Sequence, residues 1–253
     1  MTSQAGQVLQ RAELPVDIPQ LSVMSRWRAL FVRFVPTPHK TPFTFGYLVV
    51  LLGTTALLRL ASPMLASKLL EVSSTDAHNL WHRPLVALLG SAVWLSGEEW
   101  VPYAVIFAVA IAPLERRLGG WRTAGIFFSG HVLATLVTEV PIMVAISVGL
   151  LPKADGRWLD IGVSYGFFTT AGALVFLLNR RWRLPAMLLI ELFIVAIYVS
   201  DDPASIESIV TVAGHAVAAH FGYFWWGPWL RRRQRTSTPS SPTAPTAPIP
   251  ALP

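Results

Sequence analysis

DIGVSYGFF, residues 160–168, places a serine between two glycines at the head of an apolar run that continues to Asn179. The composition of the whole chain says what medium surrounds that serine. The 253 residues are 53% hydrophobic and only 13% charged, and mean hydropathy is +0.51. Soluble domains carry about 25% charged residues. Half that fraction leaves too little polar surface for water, so the chain reads as an all-α integral membrane protein crossing the bilayer several times. There is no cysteine, which excludes disulfides and thiolate metal sites. The net charge of +6 is spread between apolar segments instead of gathered in one patch, so no nucleic-acid partner is expected.

Working outward from residue 160, six apolar segments stand out: about 43–58, 100–114, 124–148, 161–179, 184–199 and 208–230. Lysine and arginine placement orients them. Arg116, Arg117 and Arg122 join segments two and three, and Arg180, Arg181 and Arg183 join four and five. Arg231, Arg232, Arg233 and Arg235 follow segment six, while Arg11, Arg26, Arg28, Arg33 and Lys40 precede segment one. Fifteen of the twenty basic residues thus fall on one side of a six-helix bundle, which makes both termini cytoplasmic. The first twenty residues are polar and show no cleavable signal, so the first span is expected to act as the insertion signal.

Residues 1–41 are expected to form a cytoplasmic tail in which 21–34, LSVMSRWRALFVRF, lies on the leaflet as an amphipathic helix. Residues 42–230 are the membrane domain. Residues 231–253, rich in proline, serine and threonine, are expected to be a disordered tail. Residues 61–98 form a long external first loop. Its apolar patch PLVALLGSAVWL is too short to span and predicts a re-entrant or interface-lying hairpin.

Ionisable residues at membrane depth mark candidate sites. His215 and His220 stand five apart, about 140° around a helix, and no HExxH is present, so no metal site is expected. Ser164 and His215 fit each other better. Each precedes its cytoplasmic arginine, Arg180 or Arg231, by 16 residues, so both should stand about 24 Å above that face. Small residues Gly162 and Gly166 on one helix and Gly214, Ala218 and Gly222 on the other predict a close approach. Neutral His215, with His220 as the fallback, would then serve Ser164 as general base. The competing reading makes Ser164 an ordinary small residue at a helix interface. His131, Glu139 and Glu191 are expected to be buried hydrogen-bonding or packing residues.

These features together resemble the rhomboid family. LERRLGGWR (114–122) looks like the end of that family's second helix, and WHRPLVALLGSAVWL like its first external loop. GVSYG falls where the family carries G-x-S-G, and GHAVAAHFGYFWWG where it carries a histidine followed by glycines. Closer still is the likeness to bacterial rhomboid-like membrane proteins. The resemblance implies a six-transmembrane-helix rhomboid-like bundle in a bacterial plasma membrane, needing no cofactor. It implies Ser164 as nucleophile and His215 as base, cleaving transmembrane segments of partner proteins. Gly162, Tyr165, Tyr103 and Glu99 fall at its oxyanion and substrate-binding positions. Two departures stand out: Tyr165 replaces the last glycine of G-x-S-G, and Glu99 and Tyr103 stand where a histidine and an asparagine belong. The alternative implied is a rhomboid-like protein that binds transmembrane segments without cutting them. Oligomeric state is not legible.

Overall fold

The computed structural model describes residues 35–95 and 99–236, without the side chains of residues 155 and 234–236. The expected amphipathic helix at 21–34 lies outside the described residues. The chain folds into helices throughout: α1 (Pro42–Leu60), α2 (Pro63–Ser73), α3 (Ala77–His82), α4 (Pro84–Ser91), α5 (Trp100–Leu118), α6 (Gly120–Ser147), α7 (Ser164–Val175), α8 (Arg180–Ser200), α9 (Ile206–Phe221) and α10 (Gly227–Thr236). By length and composition α1, α6 and α8 can cross a membrane.

Local chemistry sets the boundaries. Proline occupies the first turn of α1, α2 and α4, where its missing N–H costs nothing. Ser62, Asp76 and Ser205 accept backbone N–H bonds at the starts of α2, α3 and α9. Gly119, at φ +83°, turns the chain sharply from α5 into α6 with a backbone that favours glycine.

The first loop is three short helices, α2 to α4, rather than a single hairpin. Its end is tied to α1. Tyr47 donates its hydroxyl to the Ala92 carbonyl, and Thr54 donates to Val93 at 2.7 Å.

Helix α7 is the centre of the bundle. Ten of its twelve residues are buried, and it packs against α5, α6, α8 and α9. The apolar run 161–179 is therefore helical only between Ser164 and Val175. Its carbonyls beyond Val175 are met by arginines. Arg117 donates to Leu177 at 2.9 Å, and Arg183 donates to Leu178 and Phe176 at 3.2 Å each.

The expected small-residue contact is present in a different register. Gly166 faces Phe127 of α6, where a Cβ would lie 2.5 Å from the ring. Gly162 precedes the helix. The close α7–α9 approach falls instead at Gly172, where a Cβ would meet the Ala219 carbonyl at 2.5 Å, and at Gly222 against the α7 backbone. Thr169 sits between Gly130 of α6 and α9, and donates to the Ala218 carbonyl at 2.9 Å. Beyond Gly222 the chain makes a π-helical stretch, Gly222–Trp226, before α10. Helix α10 continues to Thr236. The last helix thus passes the Arg231 boundary expected from sequence, and residues 237–253 lie outside the described part.

Glu115 closes the same end of the bundle, beside Leu114, which packs with Leu230. It is 1% exposed and accepts from the Phe43 N–H at 2.7 Å, the Thr44 N–H at 2.8 Å and the Thr44 hydroxyl at 2.6 Å. It thereby caps α1 from α5, because Thr41 makes no side-chain cap. Glu115→Ala strands these donors in a buried site. Hydrogen bonds to charged groups contribute about 1.5–3 kcal/mol each, so a loss on the order of 3 kcal/mol is expected. It is read as a lowered unfolding midpoint of the purified protein, with Glu115→Gln retaining part of the loss.

Candidate functional site

The site begins in the segment that leads to Ser164. Residues 157–163 lie against the first loop. Ser74 donates to the Trp158 carbonyl at 3.0 Å, Thr75 bonds the Asp160 backbone and carboxyl, and the Gly162 N–H donates to the Ser91 carbonyl at 3.0 Å. Gly162, at φ +132°, adopts a turn that residues with a Cβ resist. Burial pushes the Asp160 carboxyl up to about 6, against the opposing pull of the Thr75 hydroxyl, while the charges of Asp76 and Glu207 raise it further.

Ser164 is the first residue of α7 and is half-buried. Its helix meets α9 along Tyr165, Phe168, Thr169 and Gly172, a stripe at i, i+3, i+4 and i+7. Ser164 falls at the edge of that stripe, and the large ring beside it takes the contact. Tyr165 is 3% exposed and lies on Gly214, where a Cβ would come within 2.5 Å of the Tyr165 hydroxyl. Its ring meets the His215 ring edge-on at 5.5 Å, and Phe168 approaches the same imidazole at 4.7 Å.

His215 is therefore buried between two aromatic rings, and both of its ring nitrogens lack a hydrogen-bond partner. Ser164 and His215 share no hydrogen bond. The depth estimate did bring the start of α7 level with His215. The lateral placement was the part that periodicity left open, and Tyr165 decides it.

The other candidate residues sit apart. His220 is half exposed, with Nδ1 2.8 Å from the Ala216 carbonyl and 4.0 Å from the Glu191 carboxyl of α8. Glu99 is exposed at the head of α5. Tyr103 packs on an apolar cluster that contains Val163, the residue before Ser164. Among the described residues no three histidine or acidic groups gather as a metal site.

The sequence places His131 and Glu139 on one helix, and the structure adds Thr135 and Thr138 to the same buried stripe. The spacing i, i+4, i+7, i+8 puts all four on one face of α6, and all four are buried. His131 Nε2 lies 3.0 Å from the Leu88 carbonyl, so it is the N–H donor, and 3.2 Å from the Ser91 hydroxyl. This pins α4 to α6. Its ring stands 6.4 Å from Tyr165. His131 Nδ1 and the Thr135 hydroxyl have no hydrogen-bond partner among the described residues, while the Glu139 carboxyl stands near Trp158 and the Tyr165 hydroxyl near Thr138, each beyond ordinary hydrogen-bond distance. Buried polar groups are normally satisfied by protein or ordered water. This interior is thus a buried polar stripe between α6, α7 and α9.

An apolar helical bundle with a short, buried central helix and a polar interior at its head defines a helical membrane protein. The chain matches the family model described as rhomboid-like protein over residues 37–235, and it belongs to that family. No curated protein and no solved structure matches it.

Two measurements test this geometry. Gly214→Ala should destabilise the protein by about 1–3 kcal/mol through overpacking, and Tyr165→Ala should relieve most of that loss in the double variant, a coupling read from unfolding midpoints. The raised Asp160 pKa makes the folded state hold its proton more tightly than the unfolded state. Stability contributed by this group is present below about pH 4 and is lost as pH rises towards about 6. Asp160→Asn should flatten that part of the stability profile.

Proposed function

We propose that the chain is a six-span rhomboid-like protein of the plasma membrane, with both termini in the cytoplasm, that binds transmembrane segments of partner proteins without cleaving them. Family membership and the basic residues between apolar segments support this topology. The observation that carries the functional reading is the state of His215. Its two nitrogens have no partner, and its ring is wedged between Tyr165 and Phe168. A serine hydroxyl is a poor nucleophile at its free pKa and requires an adjacent base. Ser164 shares no hydrogen bond with His215, whose ring contact is taken by the neighbouring Tyr165. The polar lining of α6 offers hydrogen-bond partners to a transmembrane segment that carries polar groups of its own, which apolar lipid tails do not.

The second reading, a serine endopeptidase that cuts within or beside the membrane, draws on one feature. Ser164 opens a helix whose N-cap, Val163, supplies no capping side chain, so first-turn N–H groups point towards the place where an oxyanion would form.

A fluorophosphonate probe separates the two. The purified, folded protein should show no labelling, and Ser164→Ala and His215→Ala should be indistinguishable from it. Labelling of the unaltered protein that both substitutions abolish establishes the protease instead.

A further inference from the structure

Five of the twenty lysines and arginines lie outside the four basic stretches that flank the apolar segments: Arg59, Lys68, Arg83, Lys153 and Arg157. Three of these five meet at one place. Two adjoining cavities, of about 400 and about 670 Å³, share His78 and Arg157 in their walls, with Lys153 in the first and Arg83 in the second. The first lies between α3, the end of α6 and the 3-10 turn Lys153–Gly156. Gly156 seats that turn on α6, since a Cβ there would lie 2.5 Å from the Ile146 side chain.

The positive charge here is uncompensated. Among the described residues neither Lys153 nor Arg157 makes an ion pair, and no acidic side chain lines the first cavity. Arg83 donates to the Asn79 side-chain oxygen at 3.0 Å, a neutral partner. The acids of the second cavity are engaged within the chain. Glu71 accepts from the Ser67 hydroxyl at 2.9 Å, and Asp76 accepts from the Asn79 N–H at 2.9 Å and its side-chain amide at 2.8 Å. The His78 imidazole registers the field. Burial and then Arg157 hold it below its ordinary value, His82 and Arg83 act the same way, and Asp76 opposes them.

Depth and hydrophobicity say what kind of anion fits. Helix α6 starts beside Arg116 and Arg117 and runs 28 residues to Ser147, about 42 Å. The hydrocarbon core of a bilayer is about 30 Å thick, and about 40–45 Å with its head groups, so the far end of α6 stands at head-group level. Ser147 and Met143 line the first cavity, and the exposed Val140 and Leu136 continue the same face of α6 at 4-3-4 spacing. An apolar track thus runs from the hydrocarbon up to the positive cavity. Trp81, exposed at the cavity wall, is the residue type that favours this interfacial level.

We infer that this cavity binds the head group of an anionic phospholipid, its phosphodiester held by Lys153 and Arg157 and an acyl chain lying along Met143, Val140 and Leu136. A guanidinium takes phosphate through two parallel N–H bonds, and an ammonium meets it as a point charge. A soluble phosphate would meet the same charges but leave the apolar track unused. The site lies outside the interior lined by Tyr165 and His215, and it holds whether that interior binds a transmembrane segment or cuts one.

The test follows the unfolding midpoint of the whole protein in neutral detergent with added phosphatidylglycerol, phosphatidylcholine or soluble glycerol phosphate. A ligand that binds only the folded state raises the midpoint as its concentration passes the dissociation constant. Phosphatidylglycerol should act at a mole fraction about tenfold below phosphatidylcholine, because its net charge is not offset by a choline. Glycerol phosphate at the same concentration should have no effect. Lys153→Gln and Arg157→Gln should each weaken the apparent affinity for phosphatidylglycerol about tenfold, the scale of one hydrogen bond to a charged group. Lys68→Gln, which removes the same charge from another exposed position, should leave the response unchanged. Equal action of the two lipids, a response untouched by Lys153→Gln and Arg157→Gln, or an equal loss in Lys68→Gln overturns the inference. Stabilisation by glycerol phosphate that matches the lipid identifies a free-anion site and overturns the lipid assignment.

Discussion

Twelve helical residues rise about 18 Å, while the hydrocarbon core of a bilayer is about 30 Å thick. Helix α7 is that short, and most of the molecule follows from what its two ends then require. At its C-terminal end Arg117 and Arg183 reach in to satisfy the carbonyls of residues 176–178. At its N-terminal end the chain must descend into the bundle as extended backbone, and such backbone survives only where protein pairs it. The first loop supplies the pairs, through Ser74, Thr75 and the Ser91 carbonyl. Three short helices stand on that side because a non-helical segment must be covered there.

Close packing around α7 has a second consequence. Glycine and threonine let α6, α7 and α9 meet at backbone distance near Thr169, Gly172 and Gly222. One turn higher the same interface must hold Tyr165, Phe168 and His215 together. Gly214 gives Tyr165 its place against the His215 ring. Fold and chemistry are separable here. The small-residue contact lies at Thr169, Gly172 and Gly222, a separate part of the interface from the ring contacts of position 165.

Much of this was legible in the chain. Low charge and long apolar runs implied a helical membrane protein. GVSYG and the GH of residues 214–215 pointed to the family, and the depth count brought residue 215 level with the head of α7. The register of the α7–α9 contact was not legible. Glycines 162, 166 and 172 look alike in sequence, and only one of them faces α9. The polar stripe of α6 was legible in principle, since His131, Thr135, Thr138 and Glu139 share one helical face, but isolated polar residues in an apolar helix do not announce a common neighbour.

The sequence by itself determined the medium and the backbone. Hydrophobicity is additive along the chain, so composition specifies helices in a bilayer, and prolines, glycines and capping residues act on their immediate neighbours. Tertiary structure decided which side chains meet. Glu115 caps a helix 71 residues away, Arg183 closes a helix that precedes it, and Tyr165 rather than Ser164 faces His215. Each of these rests on the azimuth of one helix against another. That angle is set by how closely glycine and threonine let two backbones approach, a property of a pair of surfaces that no single segment contains.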